Sequence, residues 1–481
     1  MAVSRSTRVL SVLAATSLAF APAIPAAAQP SSPPPSAPEE GLATPPPLPP
    51  NFGPPEDTGQ PDRPYQIKTA CVQSRGGETI TTKPWGQDML RFDEIARFGL
   101  TGEGQTVAVI DTGVTPHEFF QNRLEGGGDY VVAADNGLKD CDGHGTEVAG
   151  IIAADPRNND IGFRGIAPGA KIMSIRQSSA NYTFKEEGSN QPEVNAGNLN
   201  TLAQAIVRAA DRGATVINMS VDSCRPASAG AIAEPERQVQ AALRYAVEVK
   251  NVVVVASAGN LPENKCTEQN SPDPKNPSLI VIPPWFSEYV LSVAAVQKDG
   301  SVADFSINGP WVSVAAPGTE IISLDPANGT GLANQSVDEK GAAQPIQGTS
   351  FAAPYVAGLA ALVRQQYPDL NAKQVMNRIK VTAAHPAANG GHDNLVGNGM
   401  INPVAALTAF IPSEEGIAPD EAVNVPFEVP PPYERDWTPM QVAMIGSGGG
   451  LGLLLLTLFV VRTVRRNRQA PEEETNSLLR R

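Results

Sequence analysis

The sequence predicts an α/β domain with a mostly parallel sheet and helices on both faces, followed by a C-terminal transmembrane helix. Short continuous Val/Ile runs, such as residues 107–110 and 251–256, alternate with helical patterns along the middle of the chain. Strands this apolar are buried on both faces, as in parallel sheets covered by helices. Residues 440–461 have no charged side chain and are long enough to cross a bilayer core of about 30 Å.

Each predicted element has a local signal of its own. Apolar runs bounded by turn residues predict strands at residues 107–110, 170–175, 214–221, 251–256 and 290–296. Amphipathic or Ala-rich segments predict helices at residues 88–98, 147–153, 199–212, 236–250 and 351–363. Three long polar inserts, residues 177–198, 261–284 and 324–345, interrupt this alternation. Loops of that length either shape a functional cleft or decorate the fold, and the sequence leaves both possibilities open.

A serine stands at the start of the apolar segment 351–363, after Gly348 and Thr349. At a helix N-terminus, free backbone N–H groups and the positive end of the helix dipole favour a developing oxyanion. Ser350 therefore occupies a place that suits a serine nucleophile. A serine before an apolar helix is also a common N-cap, and this stretch alone would favour that structural role.

Three further stretches favour a catalytic role for Ser350 over the N-cap role. Asp111 ends a buried strand, and His144 lies between two glycines at the start of a predicted helix in a chain with four histidines. Asn260 follows another buried strand and offers a side-chain amide. A serine hydrolase requires a base near its hydroxyl, a carboxylate that orients the base, and donors for the oxyanion. Asp111, His144, Ser350 and Asn260 supply these groups.

These four stretches, in this order, resemble the subtilisin-like serine proteases over roughly residues 85–410. The resemblance implies a subtilisin-like fold in which Asp111 orients His144, the general base. It also implies that Ser350 attacks and that Asn260 belongs to the oxyanion hole. Two positions depart from the commonest subtilisin pattern, since Glu147 and Tyr355 both stand where a histidine is usual.

Further residues follow from the same resemblance. The strand that ends with Ser220 and Val221 resembles the one that binds substrate backbone and lines the specificity pocket. Calcium sites occur in the wider superfamily, but this sequence has no convincing cluster of metal ligands, so we expect no metal and no cofactor. The formal charge of −14, without a basic block in the body of the chain, argues against a nucleic-acid partner.

The N-terminal segments predict export. Arg5 and Arg8 precede an apolar run at residues 9–20, and alanines at 26–28 offer a cleavage site, so residues 1–28 are predicted to be a signal peptide. The alternative, an uncleaved anchor, is disfavoured because the run is short. Residues 29–84 form a Pro-rich extension, in which 29–64 are expected to be a disordered or polyproline spacer. Residues 65–84 are expected to lie on the catalytic domain as an arm.

The C-terminal segments predict a membrane anchor. The predicted domain, residues 85–411, is followed by an acidic Pro-rich linker at 412–439 and the transmembrane helix at 440–461. Four arginines within residues 462–468 place the short tail, 462–481, in the cytoplasm by the positive-inside rule. Glycines at residues 446–452 match a small-residue packing pattern, or they merely make the start of the span flexible.

This order of segments resembles the mycosins, the membrane-anchored subtilisin-like proteases of actinobacterial type VII secretion systems, over nearly the whole chain. The resemblance implies an extracytoplasmic serine endopeptidase beside a secretion complex. Its implied partners are a protein or peptide substrate, the type VII secretion membrane complex, and membrane lipid through one helix. The alternative is a mainly structural subunit that stabilises the complex with limited proteolysis. The four-part site argues that catalysis is retained.

The four cysteines can pair in three ways. Cys224 and Cys266 each follow one of two predicted strands that a single helix joins, so their loops should lie at the same sheet edge. That leaves Cys71 with Cys141, a pairing that the mycosin resemblance also implies. Export to an oxidising compartment permits both bonds.

Overall fold

The computed structural model describes residues 43–73, 80–158, 160–186, 188, 192–230, 232–263, 265–270, 273, 275–337, 343–417 and 437–468. Residues up to Ile417 belong to one compact unit, and the C-terminal helix belongs to a second. The predicted signal peptide lies outside the described residues, as do most of the predicted linker and most of the predicted tail.

Sixteen strands and nine α-helices are found in the described part of the chain. The strands are β1 (Gln66–Ile67), β2 (Thr106–Asp111), β3 (Leu124–Asp129), β4 (Lys171–Arg176), β5 (Ser179–Phe184), β6 (Val194–Ala196), β7 (Val216–Met219), β8 (Ser223–Pro226), β9 (Val253–Ser257), β10 (Leu279–Ile282), β11 (Leu291–Val296), β12 (Val312–Pro317), β13 (Ser323–Leu324), β14 (Leu332–Ala333), β15 (Gln335–Val337) and β16 (Ala343–Pro345). The helices are α1 (Trp85–Met89), α2 (Phe92–Ile95), α3 (His144–Ala153), α4 (Leu199–Asp211), α5 (Glu234–Arg244), α6 (Thr349–Gln366), α7 (Ala372–Val381), α8 (Pro403–Thr408) and α9 (Thr438–Arg468).

The core is a seven-stranded sheet in the order β12-β11-β9-β7-β2-β4-β3, and all neighbouring pairs in it are parallel. The α/β class and the parallel sheet are thereby confirmed. Strand β7 lies between β2 and β9, with Val107 opposite Val216 and Ile217 opposite Val254. Because the strands are parallel, the residues that follow β2, β7 and β9 all emerge at one edge of the sheet.

Helix α6 is buried along most of its length, and its first fifteen residues are all buried. Each Leu or Val that it removes from water contributes about 1.5–3 kcal/mol to folding, which fixes the helix against the sheet. The close approach depends on Gly358, where a Cβ atom would lie 2.0 Å from Ile166 Cγ2. This packing holds the N-terminus of α6, and with it Ser350, in one place.

Several predicted elements were wrong in extent. The single helix expected at residues 88–98 is two short helices and a 3₁₀ turn, because Arg91 takes a left-handed conformation with φ 60° and interrupts it. The helix expected at 236–250 is α helix only to Arg244 and continues as a π-helix from Tyr245 to Val249. Strand β3 was missed because its sequence is Gly-rich and has one large apolar residue, Leu124.

The three inserts contain short antiparallel pairs and are not wholly irregular loops. The first carries β5 and β6, which pair with each other, and β5 also pairs with β1 of the N-terminal arm. The second carries β10, which pairs with β8. The third carries β14, β15 and β16, of which β14 pairs with β13 and β15 pairs with β16. Strand β10 is a continuous apolar run, Leu279–Ile282, that was missed within the second insert, whereas the other short strands are too short or too polar to show such a run.

Residues 43–64 of the Pro-rich extension contact the domain, so the disordered alternative is wrong for them, while the polyproline alternative stays a prediction. Asp57 accepts hydrogen bonds from Tyr130 Oη and from Arg208 Nη1, both at 2.6 Å. Arg244 Nη2 donates to Phe52 O at 2.5 Å, and Gln240 Nε2 donates to Pro46 O at 3.0 Å. Proline prevents regular secondary structure here, but the backbone carbonyls and the carboxylate still bind to α4 and α5.

Both disulfides join the pairs named above. Cys71 is bonded to Cys141, and Cys224 is bonded to Cys266. The first bond is part of a small apolar cluster that joins the arm to the domain, formed by Tyr65, Val131, Cys141, Tyr182 and Ala196 with Cys71 packed against it. The arm after Tyr65 is therefore attached covalently, by a strand pairing and by apolar contacts.

The C-terminal boundary of the domain lies a few residues beyond the predicted one. Glu414 pairs with the buried Arg378, whose Nε donates to Glu414 Oε1 at 2.9 Å. Residues 412–417, which were assigned to the linker, thus belong to the compact unit. Helix α9 is longer than the predicted span and is apolar and long enough to cross a membrane.

Removing the Cys71–Cys141 bond should destabilise the domain. In the chain-entropy model, a loop closed over a separation of 70 residues contributes about 4 kcal/mol. We expect the Cys71→Ser/Cys141→Ser variant of the full chain to unfold at a lower temperature in detergent solution. An Asp57→Asn variant, which weakens the arm without removing a crosslink, should show a smaller decrease. Equal melting temperatures for wild type and the double variant would contradict the role of the bond.

Candidate active site

The edge at the carboxyl ends of the parallel strands collects the predicted site residues. Asp111 is the last residue of β2, and Asn260 lies three residues beyond the end of β9. His144 is the first residue of α3, and Ser350 is the second residue of α6. Two strand ends and two helix N-termini therefore position the four side chains.

Asp111 and His144 are joined by a short hydrogen bond. His144 Nδ1 lies 2.7 Å from Asp111 Oδ1, which also accepts a hydrogen bond from the Thr112 backbone N–H at 2.8 Å. The Asp111 side chain is fully buried, whereas 29% of the His144 side chain is exposed. A carboxylate at Nδ1 fixes the ring tautomer with a proton there and leaves Nε2 free to accept a proton.

Asp140 organises the loop that presents the imidazole, and the sequence analysis missed it. Its Oδ1 accepts hydrogen bonds from Gly143 N at 2.7 Å and from Thr112 Oγ1 at 2.9 Å. Its Oδ2 accepts from Thr146 N and Thr146 Oγ1 at 2.8 and 2.7 Å. Burial raises the pKa of Asp140 to about 6, although these hydrogen bonds act to lower it. The sequence signal that could have identified Asp140 is its position just before Cys141 and the Asp-Gly-His sequence.

The first turn of α3 packs very closely against the residues that follow β2. A Cβ atom at position 145 would lie 2.1 Å from Gly113 O, so only glycine allows this approach. The Gly145 N–H donates to Thr112 Oγ1 at 2.9 Å, which holds the turn against the residue after Asp111. These contacts place the His144 ring next to Asp111.

Ser350 is buried, and no hydrogen bond joins it to the imidazole among the described residues. The ring of its neighbour Phe351 lies 5.1 Å from the His144 ring, centroid to centroid. Ser350 Oγ donates instead to Ser220 O at 3.4 Å, a long hydrogen bond. In unliganded enzymes, catalytic hydrogen bonds are often long or poorly aligned.

The Asn260 amide is oriented by Thr349, a residue that the sequence analysis did not assign. Asn260 Oδ1 accepts hydrogen bonds from Thr349 N at 2.8 Å and Thr349 Oγ1 at 2.9 Å. Because the amide oxygen is occupied, the Nδ2 donors are directed away from Thr349. Asn260 Nδ2 donates to Glu263 Oε2 at 3.2 Å. Asn260, which is 6% exposed, is thus fixed next to the N-terminus of α6.

Ser220 and Val221 lie just beyond β7, since the strand ends at Met219 and not at residue 221. Ser220 Oγ accepts a hydrogen bond from Asn218 Nδ2 at 2.9 Å and donates to Ser350 O at 2.7 Å. Ser220 is therefore buried and contacts the backbone of Ser350, while Val221 is only partly buried. A surface cleft of about 430 Å³ does not include Ser220 or Val221 and is lined by Leu261, Gln297, Ala303, Asp304, Phe305, Thr319 and Gln347.

Glu147 lies one turn after His144 on α3 and is 6% exposed. Burial raises the pKa of Glu147 to about 8, against the attraction of His144. Burial lowers the pKa of His144, but the Asp111 carboxylate, with Glu147 and Asp140, outweighs it and raises that pKa. The carboxyl groups around the ring therefore stabilise the imidazolium that forms when His144 takes up a proton.

Comparison with known proteins identifies close relatives of the chain. Residues 102–399 match the model of the Subtilase family. Mycosin-1 of Mycolicibacterium smegmatis is 40% identical over 421 residues, which cover 83% of this chain and 90% of that protein. The crystal structure of MycP1 from the ESX-1 type VII secretion system has a TM-score of 0.69 at 40% identity, covering 79% of this chain and 99% of that one. A structure of an intact ESX-5 inner membrane complex contains a chain with a TM-score of 0.70 at 38% identity, covering 88% and 100%.

The His144 ring should titrate above the ordinary histidine pKa of about 6.5. Replacing Glu147 by glutamine removes one of the carboxyl groups that attract the imidazolium, so the Glu147→Gln variant should titrate at a lower pH than wild type. NMR of ¹³C-labelled histidine rings, assigned with a His144→Gln variant, measures this pKa. Glu125→Gln, at an exposed position on β3, is the control and should leave it unchanged. An unchanged or higher pKa in Glu147→Gln would contradict the electrostatic account.

Proposed function

This chain belongs to the subtilase family and, within it, to the mycosins, and on that premise we propose that Asp111, His144 and Ser350 are the catalytic triad of a membrane-anchored serine endopeptidase. Membership in the family makes the chain a subtilisin-like serine protease. The observation that carries the residue assignment is the 2.7 Å hydrogen bond between Asp111 and His144 at the sheet edge where Ser350 begins α6.

The proposed reaction is acyl transfer from a peptide bond. Ser350 Oγ attacks the carbonyl carbon while His144 Nε2 takes its proton, and Asp111 stabilises the imidazolium that forms. His144 then gives the proton to the leaving amine as the C–N bond breaks. Water, deprotonated by the same imidazole, releases the acyl group and restores Ser350.

The attack requires the Ser350 side chain to rotate away from Ser220 O. Its hydroxyl is turned towards Ser220 O, and the bond of 3.4 Å is weak enough to be exchanged for one to His144 Nε2. The main chain at Ser350 is held by the hydrogen bond of 2.7 Å that Ser220 Oγ donates to Ser350 O. The contact between Phe351 and the imidazole supports the proximity of base and nucleophile.

We assign the oxyanion hole to Asn260 Nδ2 and the Ser350 backbone N–H. Thr349 fixes the amide from its oxygen side, so the donor is oriented before the substrate binds. Such preorganised donors stabilise charge that develops only in the transition state, which raises kcat more than it lowers KM. Ser220 and Val221, at the end of β7, are the proposed binding residues for the substrate backbone.

We propose the following arrangement for the whole chain. Residues 1–28 are a signal peptide, and residues 29–84 are an arm that stays attached to the peptidase domain. Helix α9 is the single membrane anchor, with the arginines at its C-terminal end in the cytoplasm and the catalytic domain outside the cell membrane. This arrangement places the cysteines in an oxidising compartment, where both disulfides are stable.

We also propose that the chain works beside a type VII secretion membrane complex. The support is the similarity to MycP1 of an ESX-1 system and to a chain of an ESX-5 inner membrane complex. A second candidate function, stabilisation of that complex with limited proteolysis, is favoured by the extent of the second similarity, which spans 88% of this chain. The catalytic and structural roles can be separated by experiment.

A fluorophosphonate probe should label the wild-type chain at Ser350. We expect no labelling of Ser350→Ala, because the nucleophilic oxygen is absent, and very slow labelling of His144→Ala, because the hydroxyl keeps its proton. Ser301→Ala changes an exposed serine elsewhere and should label like wild type. Gel fluorescence after a timed reaction measures the extent of labelling. Equal labelling of wild type and Ser350→Ala would exclude Ser350 as the nucleophile.

The structural role predicts different outcomes for loss of the protein and loss of its nucleophile. Deleting the gene should abolish type VII export, whereas a chromosomal Ser350→Ala change should leave much of it, because the fold and the anchor remain. Quantitative immunoblotting of culture filtrates measures export, and immunoblotting of membranes checks that the variant accumulates normally. Complete loss of export in both strains would show that proteolysis is the essential role.

A further inference from the structure

The oxyanion donor of the proposed site is already hydrogen-bonded to an acidic side chain. Asn260 Nδ2 donates to Glu263 Oε2 at 3.2 Å, while Asn260 Oδ1 is occupied by Thr349. The mechanism needs Asn260 Nδ2 but has no use for a carboxylate beside it. A negative charge next to the place where the oxyanion develops opposes that charge.

The loop after Asn260 is built so that Glu263 returns to the amide. The Glu263 N–H donates to Asn260 O at 3.0 Å, which closes a turn over Leu261 and Pro262. The Cys266 N–H then donates to Glu263 O at 2.7 Å, which closes a second turn. Both turns are short and local, so the carboxylate stays within reach of the amide.

The Cys224–Cys266 disulfide fixes this loop to the sheet edge. Cys224 lies on β8, which follows β7 and pairs with β10. The bond therefore connects the loop that carries Glu263 to the strand pair beside Ser220. Glu263 itself is exposed, so its carboxylate is hydrated and can leave the amide when a substrate carbonyl arrives.

We propose that Glu263 restrains the oxyanion hole: in the free enzyme it occupies the Asn260 donor, and in the transition state its charge opposes the oxyanion. The inference rests on the proposed protease function. Glu263 is a positioning residue and takes no part in bond making or breaking. Its effect is to hold the basal rate of acylation below the rate that the triad and the amide would otherwise give.

The expected change in the acylation rate follows from the distance between the Glu263 carboxylate and the oxyanion and from the screening of their charges by water. Glu263 stays in the same short turn, so its carboxylate remains about 5 Å from an oxyanion that replaces it on Asn260 Nδ2, and in water-like surroundings such a pair repels by a little less than 1 kcal/mol. Removing the charge should therefore accelerate acylation about three- to fivefold. The acceleration should belong to the chemical step, because the oxyanion exists only in the transition state and the intermediate.

The test measures phosphonylation of Ser350 in the full chain by a fluorophosphonate probe, whose phosphoryl oxygen enters the oxyanion hole. Glu263→Gln keeps the size of the side chain and removes its charge. We expect its limiting labelling rate to rise about three- to fivefold, with little change in the probe concentration at half-saturation. Glu268→Gln removes a charge from the same loop and should leave both constants unchanged.

Two further measurements distinguish this role from a structural one. The ratio of Glu263→Gln to wild-type rates should approach one in about 1 M salt, where the screening length is about 3 Å. In an Asn260→Ala background, the Glu263→Gln change should accelerate labelling less, because the hydrogen bond between the two residues no longer exists. A purely structural effect of Glu263 would depend neither on the salt concentration nor on the presence of Asn260.

The outcomes of these labelling experiments distinguish failure of the restraint by Glu263 from failure of the proposed catalytic site. Labelling of wild type at Ser350 together with an unchanged or slower Glu263→Gln variant would overturn the restraint and leave the protease function standing. Labelling only after Glu263→Gln would support a strong restraint. No labelling of either protein, with both folded by their melting curves, would overturn the proposed catalytic site and the restraint with it.

Discussion

The hydrogen bond between Asp111 and His144 is the interaction on which the rest of the site depends. A fully buried carboxylate is stable only when its charge is compensated, and the imidazole and the Thr112 N–H provide that compensation. Asp111 is fixed because β2 lies inside the parallel sheet, and His144 is fixed because Asp140 ties its loop to Thr112 and Thr146. The sheet and the loop together determine where Ser350 has to lie.

The N-terminal arm belongs to this same construction. Its Cys71 is bonded to Cys141, next to Asp140, and the Val72 N–H donates to Cys141 O at 2.8 Å. Earlier in the arm, Asp57 binds Tyr130 and Arg208 on the domain. The contacts that hold the arm therefore continue into the loop that presents the imidazole. An arm attached in this way stabilises the catalytic geometry and does not resemble a segment that leaves the enzyme.

The sequence predicted the features that depend on long apolar runs or on rare polar residues. The parallel sheet, helix α6 and the meeting of Asp111 with His144 all followed from such patterns. It did not predict β3, whose Gly-rich sequence is stabilised only by pairing with β4, nor the break at Arg91. Asp140, Thr349 and Glu263 act through hydrogen bonds between distant segments or turns, which leave no periodic signal. The Pro-rich arm was misjudged because its contacts use backbone carbonyls and one aspartate.

The central claim is that Ser350, His144 and Asn260 form one acylation site at this sheet edge. A crystal structure of the fluorophosphonate adduct tests it most directly. The account predicts phosphorus bonded to Ser350 Oγ, with its oxygen accepting hydrogen bonds from Asn260 Nδ2 and the Ser350 N–H. It also predicts His144 Nε2 within hydrogen-bond distance of the adduct and Glu263 displaced from the amide. An adduct on another residue, or a phosphoryl oxygen that points away from Asn260, would contradict it.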